Sequence, residues 1–341
     1  MAKPKILLLQ AGGTIGQKKG SDGVYRPSDD DYLHKIPEIH DLADITIKKI
    51  VNIDSTNMET SHRVAIARAI YENNSKYDGF VVVHGTDTMV DSAAAFNYMI
   101  QDLGKPIVLT GAQKSIYEPG SDGPNNLYYA IKAATLDLGE IVIAFGDRIV
   151  RGNRAIKVSE HGLNAFDSPR MQPVGEIGID IMLAEHRIRR HEGKPSLFID
   201  FDTNIAFCQQ SSGTAHDALG EMVAHPNVHG IVLGAYGAGN VQDRLLADLK
   251  NATKRGKPVL VATNCQLGAA DMGLYSVGSA PLKASAISAG DMTMECCVQK
   301  LMYALGKLRK NKITMAKKIA FTKKIAHTPI SGDITIVSKR F

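Results

Sequence analysis

Lys5-Ile-Leu-Leu-Leu-Gln10 leads directly into Ala11-Gly12-Gly13-Thr14-Ile15-Gly16, and Phe80-Val-Val-Val83 leads into His84-Gly85-Thr86-Asp87-Thr88. Each stretch is a short apolar run, typical of a buried strand, that ends in a glycine turn carrying a threonine. Open α/β sheets bind ligands at the carboxyl ends of their strands, and glycines let a substrate approach the backbone closely. We therefore predict that the two turns face one crevice of an enzyme with a threonine nucleophile.

The segments between and after these turns predict an α/β fold. Apolar runs rich in Val and Ile alternate with segments of helical period, which indicates a mostly parallel, doubly wound sheet with helices on both faces. The predicted strands are 5–10, 45–51, 79–84, 106–111 and 141–146, and the predicted helices lie near 61–75, 90–102 and 125–138.

A chain of 341 residues is long for a single core, so two domains are expected. The polar stretch from Ile188 to Pro195 has no apolar period and is the best candidate for the boundary. After it, helices near 214–224, 241–255 and 292–309 and strands at 230–235 and 258–263 indicate a smaller α/β domain. The predicted division is a catalytic domain over 1–187, a linker over 188–202 and a C-terminal domain over 203–341.

Composition argues against several classes of protein. The net charge of +5 is modest, and the ten basic residues after position 305 have only one aromatic residue, Phe321, interleaved among them, so no nucleic-acid partner is expected. The sequence has no run of 18 apolar residues, so no membrane span is predicted. The apolar run near the N-terminus is too short for a signal peptide. We expect a cytoplasmic protein. The four cysteines have no CxxC spacing and no HExxH motif occurs, so we expect reduced thiols, no metal and no cofactor.

Neither glycine turn identifies a function by itself. The first has neither the spacing of a dinucleotide fingerprint nor a following Gly-Lys-Ser/Thr, and Thr14, Thr86 or Asp87 could simply cap a helix. A threonine hydroxyl is a weak nucleophile at neutral pH, so it needs a base that a further group holds in place. A lysine beside a carboxylate could serve, and Lys157, which follows the last strand of the first domain, is one candidate.

Eight sequence blocks together resemble the bacterial-type L-asparaginases, most closely their cytoplasmic type I branch. The blocks occur in order over nearly the whole chain, which makes the resemblance specific. They are Ala-Gly-Gly-Thr-Ile-Gly at 11–16, Asp-Ser-Thr-Asn-Met at 54–58, His-Gly-Thr-Asp-Thr-Met at 84–89, Thr-Gly-Ala-Gln at 110–113, Ser-Asp-Gly-Pro-Asn-Asn-Leu at 121–127, Arg-Gly-Asn-Arg at 151–154, Tyr-Gly-Ala-Gly-Asn at 236–240 and Ala-Gly-Asp-Met-Thr at 289–293.

The resemblance implies a catalytic set in the first domain. Thr14 matches the nucleophile that forms an acyl-enzyme, and Tyr25 lies where the family has a mobile loop tyrosine that hydrogen-bonds the nucleophile. Thr86, Asp87 and Lys157 match a second triad that handles protons.

Substrate-binding residues follow from the same blocks. Ser55 is expected to hold the α-carboxylate of the substrate and Asp87 its α-ammonium, with Thr56 assisting. Ala112 of the Thr-Gly-Ala-Gln block is assigned to substrate binding as well.

In this family the second domain of a neighbouring subunit completes the active site. Asn240 matches the residue that reaches across, and Asp291 lies in the block that packs nearby, so a homodimer or homotetramer is implied. Some type I members have an allosteric asparagine site with an arginine just before the Tyr-Gly-x-Gly-Asn turn. This chain has Gly234 and Ala235 there, and Ile156 replaces the threonine before Lys157, so we expect no activation by asparagine.

Three alternatives remain beside hydrolysis of L-asparagine. A glutaminase-asparaginase of broad specificity differs by one methylene in the substrate, which pocket shape decides. The ammonia-producing subunit of an archaeal amidotransferase carries an extra N-terminal domain, whereas Thr14 here follows only thirteen residues. A binding or regulatory protein on the same fold is disfavoured because every catalytic position holds a competent residue.

Overall fold

The computed structural model describes residues 2–28, 33–214, 218–273, 276–311 and 314–335. The chain divides into two compact units, Met1–Phe198 and Ile199–Phe341, which are described separately. The first turn of the predicted helix near 214–224 includes residues 215–217, which lie outside this description. Lys339 and Arg340 of the basic C-terminal segment also lie outside it.

Unit 1 contains most of the strands. Its strands are β1 (Lys5–Gly12), β2 (Gln17–Lys19), β3 (Tyr25–Pro27), β4 (Asp44–Ile53), β5 (Gly79–Val83), β6 (Ile100–Gln101), β7 (Ile107–Thr110), β8 (Ile141–Phe145), β9 (Arg148–Arg151), β10 (Ile156–Lys157), β11 (Phe166–Asp167), β12 (Gly175–Ile177), β13 (Ile181–Leu183) and β14 (Ser196–Leu197). Its α-helices are α1 (Ile39–Leu42), α2 (Thr60–Glu72), α3 (Met89–Met99) and α4 (Gly123–Thr135).

An eight-stranded sheet organises unit 1 in the order β13-β12-β9-β8-β7-β5-β1-β4. Five neighbouring strands run parallel, in the order β8-β7-β5-β1-β4. In β1, Ile6 lies opposite Ile45 of β4 on one side and Gly79 of β5 on the other. The three strands at the other edge are antiparallel. All five predicted strands of this domain and its three predicted helices are present, with ends shifted by one to three residues.

Burial on both faces explains why the central strands are continuous apolar runs. Every residue of β5 and β8 is buried, as expected for parallel strands covered by helices on each side. Residues of α4 such as Leu127 and Ile131 pack in the same core as Val81 and Val108. The predicted doubly wound, mostly parallel α/β fold is confirmed.

The antiparallel edge was not predicted, because its strands are short and one of them depends on a buried ion pair. Arg151 of β9 is 2.5 Å from Glu140, and both side chains are almost fully buried. Glu140 also accepts a hydrogen bond from the Ile188 nitrogen at 2.7 Å. The contact between Glu140 and Ile188, which lie 48 positions apart, leaves no local periodic signal in the sequence.

The segment predicted as a linker packs largely on unit 1. The Arg190 guanidinium donates hydrogen bonds to the carbonyl oxygens of Asp78, Ala134 and Leu136 at 2.6–2.7 Å. β14 then pairs with β6 in a two-stranded sheet. The two units divide between Phe198 and Ile199, inside the predicted linker range 188–202, and residues 188–198 belong to unit 1. The polar composition there reflects these backbone-capping contacts rather than a free connection.

Unit 2 is a smaller α/β unit built on four parallel strands. Its strands are β15 (Ile205–Gln209), β16 (Gly230–Ala235), β17 (Val259–Thr263) and β18 (Ile287–Ser288), in that order across the sheet. Its α-helices are α5 (Ala218–Ala224), α6 (Leu246–Lys254), α7 (Ser276–Lys283), α8 (Met294–Lys310) and α9 (Met315–Ala326). Thr293 caps α8 by accepting a hydrogen bond from the Cys296 nitrogen at 3.2 Å.

None of the helices in the described part of the chain combines the length and apolar character that a membrane crossing requires. Within the same residues, no cluster of three or more His, Cys, Asp or Glu side chains is arranged to hold a metal ion.

Candidate active site

Three loops meet at the carboxyl ends of neighbouring strands in unit 1. Thr14 begins a short 3-10 turn after β1, Ser55 begins another after β4, and Thr86 follows β5. Because β1 lies between β4 and β5 in the sheet, the three loops are adjacent. A Cβ on Gly85 would lie 2.6 Å from the Ser55 hydroxyl oxygen, so only glycine permits this approach.

Lys157 joins this set from β10. Its ammonium donates hydrogen bonds to the Thr86 hydroxyl at 3.0 Å and to Asp87 Oδ1 at 2.6 Å. The Lys157 side chain is largely buried, at 18% exposure, whereas that of Asp87 is 57% exposed. The three residues therefore form one connected polar chain with its carboxylate open to a ligand.

Asp87 stays ionised in this arrangement. The hydrogen bond from Lys157 is the main cause that lowers the pKa of the Asp87 carboxyl below its usual value, against a smaller opposing effect of burial. The Thr56 hydroxyl lies 3.4 Å from Asp87 Oδ2 and acts in the same direction. A permanent carboxylate in an open position is suited to binding a cation.

Ser55 is fixed from both its hydroxyl and its backbone. The Ser55 hydroxyl accepts a hydrogen bond from the Asp87 nitrogen at 3.2 Å, which leaves its own proton to donate to an anionic group. Its carbonyl oxygen accepts from the Thr88 hydroxyl at 2.7 Å. The preceding Asp54 caps the turn by accepting from the Thr56 nitrogen at 2.9 Å.

These groups line one cleft of about 190 Å³, which suits a molecule smaller than typical drug-sized ligands. Larger cavities of about 470 and 380 Å³ lie along α6, α7 and α9 and beside β12 and β13, but none of the predicted catalytic residues lines them. The residues around the small cleft are Gly13, Thr14, Asp54, Ser55, Gly85, Thr86, Asp87, Gln113, Lys157 and Glu160.

Sequence reasoning did not select three polar residues that line this cleft, Asp54, Gln113 and Glu160. The Gln113 amide donates to the carbonyl oxygens of Ser159 and Gly162 at 3.4 and 3.2 Å, which holds the turn that carries Glu160 against the cleft. The signal for Gln113 lay in the Thr-Gly-Ala-Gln block, whereas nothing local distinguishes Glu160. Ala112, the residue chosen from that block, has its side chain in the core of unit 1.

A buried histidine network supports the Thr86 loop and was also missed. His84 Nδ1 lies 2.7 Å from the Gly85 carbonyl oxygen, and Nε2 lies 2.9 Å from the Ser92 hydroxyl. Arg63 donates to the same hydroxyl at 3.0 Å. Complete burial lowers the pKa of His84 to about 4, so the ring is neutral near pH 7. Since a carbonyl only accepts, Nδ1 carries the proton and Nε2 accepts from Ser92.

The other two predicted residues are Tyr25, in the hairpin of β2 and β3, and Asn240, in unit 2. The Tyr25 hydroxyl donates a hydrogen bond to Glu118, and within the described residues it has no hydrogen bond to Thr14. Asn240 belongs to unit 2, in a turn closed by its own nitrogen donating to the Tyr236 carbonyl oxygen at 2.8 Å. Its amide oxygen is buried and has no hydrogen-bond partner among the described residues.

Two family models match the chain, one for each unit. Residues 5–189 match a model described as Asparaginase, N-terminal, and residues 204–317 match one described as Glutaminase/Asparaginase C-terminal domain. Together they cover most of both units.

Individual relatives and solved structures agree with these matches. L-asparaginase of Thermococcus kodakarensis is 36% identical, over 97% of this chain and 99% of its own length, and its structure superposes with a TM-score of 0.86. L-asparaginase 1 of Escherichia coli K12 is 34% identical over 89% of this chain and 93% of its own length. A probable cytoplasmic L-asparaginase of Campylobacter jejuni is 26% identical, with a TM-score of 0.78 over 95% of this chain and 99% of that one.

Proposed function

Since this chain belongs to the asparaginase family, we propose that it hydrolyses the side-chain amide of L-asparagine to L-aspartate and ammonia. The observation that carries the proposal is the hydrogen-bonded set of Lys157, Thr86 and Asp87 in the same small cleft as Thr14. This arrangement supports the proposal because a threonine hydroxyl, a lysine–threonine pair suited to moving protons and an open carboxylate line one ligand-sized space.

In the proposed reaction, the Thr14 hydroxyl oxygen attacks the amide carbon of the substrate, and the proton it releases replaces the one that Thr86 and Lys157 deliver to the amide nitrogen. The C–N bond of the tetrahedral intermediate then breaks, the nitrogen leaves as ammonia after gaining a proton, and an ester to Thr14 remains. Water hydrolyses that ester, which releases L-aspartate and restores the hydroxyl. Backbone N–H groups of the two glycine loops are the proposed donors to the oxyanion.

Lys157 and Thr86 are the proposed proton carriers. The ammonium is 3.0 Å from the Thr86 hydroxyl, so a proton can pass along this bond toward the departing nitrogen or away from an attacking water. Asp87 keeps the Lys157 side chain oriented at 2.6 Å. The low exposure of Lys157 supports this role, because a largely buried side chain keeps its ammonium beside Thr86 and Asp87.

The same cleft offers complementary groups for the zwitterionic head of an amino acid. Asp87 has a free edge for the α-ammonium group, and Ser55 has a proton for the α-carboxylate. Thr56 assists through the contact of its hydroxyl with the Asp87 carboxylate. For Ala112 we propose a role of the backbone only, because its side chain is buried.

We also propose a homodimer or homotetramer in which Asn240 of one subunit completes the cleft of another. The support is the Tyr-Gly-Ala-Gly-Asn block at 236–240, which resembles the turn that reaches the cleft of a neighbouring subunit in this family. A cytoplasmic location is proposed by extension from the Campylobacter relative, which is described as a probable cytoplasmic enzyme.

Comparable activity on L-glutamine is the second candidate. It is favoured by the C-terminal family model, whose description includes glutaminases. One additional methylene changes discrimination by only about 1–3 kcal/mol, so both substrates need to be tested.

The decisive experiment measures ammonia release by the purified protein over a concentration range of L-asparagine and, separately, of L-glutamine. We expect a higher kcat/KM for L-asparagine and a hyperbolic rate curve, since Gly234 and Ala235 offer no guanidinium for a second asparagine. No release from either amide would overturn the proposal. A sigmoidal curve would contradict only the expected absence of activation.

A further inference from the structure

The Tyr25 hydroxyl donates a hydrogen bond to the Glu118 carboxylate, across 93 residues of sequence. Tyr25 begins β3, which pairs with β2 so that Lys19 lies opposite Tyr25. The Lys19 ammonium is 5.5 Å from the centre of the Tyr25 ring, within the range of an exposed cation–π contact. The hairpin of β2 and β3 is thus held at Tyr25 by a longer-range contact as well as by its own strands.

The base of this hairpin is attached to the turn that carries Thr14. β2 begins at Gln17, directly after that turn. On the return strand, the Ser28 nitrogen donates to the Gly16 carbonyl oxygen at 3.3 Å. The tip, by contrast, is exposed from Gly20 to Gly23. Away from its base, the hairpin is held by side-chain contacts at Tyr25 and at Lys18, whose ammonium lies 4.7 Å from the centre of the Tyr117 ring.

Glu118 sits on a loop that is fixed to the same turn. The Ile116 nitrogen donates to the Ile15 carbonyl oxygen at 3.1 Å, and the Ser115 hydroxyl donates to that of Gln17 at 2.5 Å. Asp122 closes the loop from the other end by accepting from the nitrogens of Gln113 and Lys114 at 2.9 Å each. The Glu118 carboxylate is therefore a fixed point relative to the backbone of Thr14.

We propose that Glu118 is a positioning residue that latches the hairpin of β2 and β3 over the Thr14 turn by holding the Tyr25 hydroxyl. The proposal rests on the proposed function and on the role that the family resemblance implies for Tyr25, a contact with the nucleophile. A phenol that donates its proton to a carboxylate keeps its oxygen lone pairs, so Tyr25 is oriented to accept a hydrogen bond from the Thr14 hydroxyl. The negative charge of Glu118 strengthens that acceptor.

The same contact fixes the protonation state of the phenol. The hydrogen bond to Glu118 is the main cause that raises the pKa of Tyr25 above its usual value. Tyr25 thus stays neutral through the pH range in which an amide hydrolase works. Glu118 touches neither the cleft nor its residues, so its effect on the reaction passes through Tyr25.

Limited proteolysis tests the latch without a measurement of enzyme activity. Trypsin cleavage after Lys18 and Lys19 is followed by mass spectrometry in the wild type, Glu118→Gln, Glu118→Ala and Tyr25→Phe. A freed hairpin is cleaved faster, and we expect about a 3- to 10-fold increase in Glu118→Ala and Tyr25→Phe. Glu192→Gln, a change of an exposed carboxylate elsewhere in unit 1, should leave the rate unchanged. Unchanged cleavage in Glu118→Ala overturns the proposal.

A second arm separates the latch from a structural role. Glu118→Ala should lower kcat/KM for the amide about 10- to 100-fold, as expected for one charge-assisted hydrogen bond, and the double variant with Tyr25→Phe should be no worse than Tyr25→Phe alone. Additive losses would show that Glu118 acts independently of Tyr25 and would overturn the inference. In ¹³C-tyrosine NMR, Glu118→Gln should move the Tyr25 titration to lower pH.

The two hypotheses fail in different ways. If the wild type releases no ammonia, the proposed function fails, while proteolysis and the tyrosine titration still decide whether Glu118 holds the hairpin. If the enzyme is active but the Glu118 variants keep wild-type cleavage and titration, only the latch is refuted.

Discussion

Gly13 and Gly85 approach each other so closely that a Cβ on Gly13 would lie 2.5 Å from the Gly85 nitrogen. Gly13 precedes Thr14 and Gly85 precedes Thr86, so this contact sets the spacing of the two threonine loops. The backbone of Gly13 also has φ of +98°, a conformation that residues with a side chain rarely adopt.

The closeness of these loops predicts a large effect of Gly13→Ala. Gly268→Ala is the matched control, because Gly268 has a similar φ of +90° with nothing within 4 Å of its Cβ position. We expect about 1 kcal/mol of destabilisation in the control and at least about 2 kcal/mol more in Gly13→Ala, with loss of activity only in the latter. Urea unfolding and ammonia release measure both. Equal destabilisation of the two variants would contradict the steric argument.

Thr14→Ala should abolish turnover and leave the fold intact, because the cleft would lose the proposed nucleophile from a side chain that is not fully buried. Thr14→Ser restores a hydroxyl on a side chain that fits the same space, so partial activity is expected. Circular dichroism and thermal unfolding verify the fold of each variant. Substantial activity in Thr14→Ala would show that another group attacks the amide.

Lys157→Met should reduce kcat by about 10²- to 10⁴-fold, the range typical of a lost general acid–base group. Methionine keeps much of the side-chain volume but leaves Asp87 and Thr86 without their donor. Lys48→Met removes the same charge at an exposed position of β4 and serves as control. A kcat of Lys157→Met near that of the control would exclude Lys157 from proton handling.

Stability should fall as pH decreases from about 6.5 toward 4 because of His84. The folded pKa of about 4 lies below the value of 6.5 for a free histidine, so in this window the unfolded chain binds the proton and the folded one does not. The resulting stabilisation is complete above pH 6.5 and is lost as the pH falls toward 4, by about 3 kcal/mol in total. Urea unfolding of the wild type and His84→Gln at several pH values tests this. The variant should be less stable at pH 7, and its free energy of unfolding should depend less on pH in that window. Parallel curves would contradict the assignment.

Mixing two inactive variants tests the shared site. Thr14→Ala and Asn240→Ala should each lose activity alone, whereas a hybrid dimer contains one cleft with an intact Thr14 and an intact partner Asn240. Random reassociation should therefore recover about a quarter of wild-type activity. Co-purification of each variant with itself is the control. Absence of recovery in verified hybrids would mean that each cleft uses its own Asn240.

Much of unit 1 could be predicted because its signals are local. β5 and β8 are recognisable as continuous apolar runs since both faces are buried, and the turns at Gly13 and Gly85 require glycine where loops meet. The antiparallel edge could not be predicted in this way. It depends on β9, β12 and β13, which are short, and on the ion pair between Arg151 and Glu140.

The sequence by itself determined the strand-and-turn pattern, the α/β class and the candidates Thr14, Thr86 and Asp87, because burial and turn conformation leave their mark on neighbouring residues. Its resemblance to a known family added Ser55 and singled out Lys157. Only the tertiary structure brought the Lys157 ammonium, one of 40 basic groups, to 3.0 Å from Thr86 across 71 positions. It also paired Tyr25 with Glu118 and added Gln113 and Glu160 to the cleft. Hydrogen bonds act over a few ångströms of space, and the distance between their partners along the chain carries no information about them.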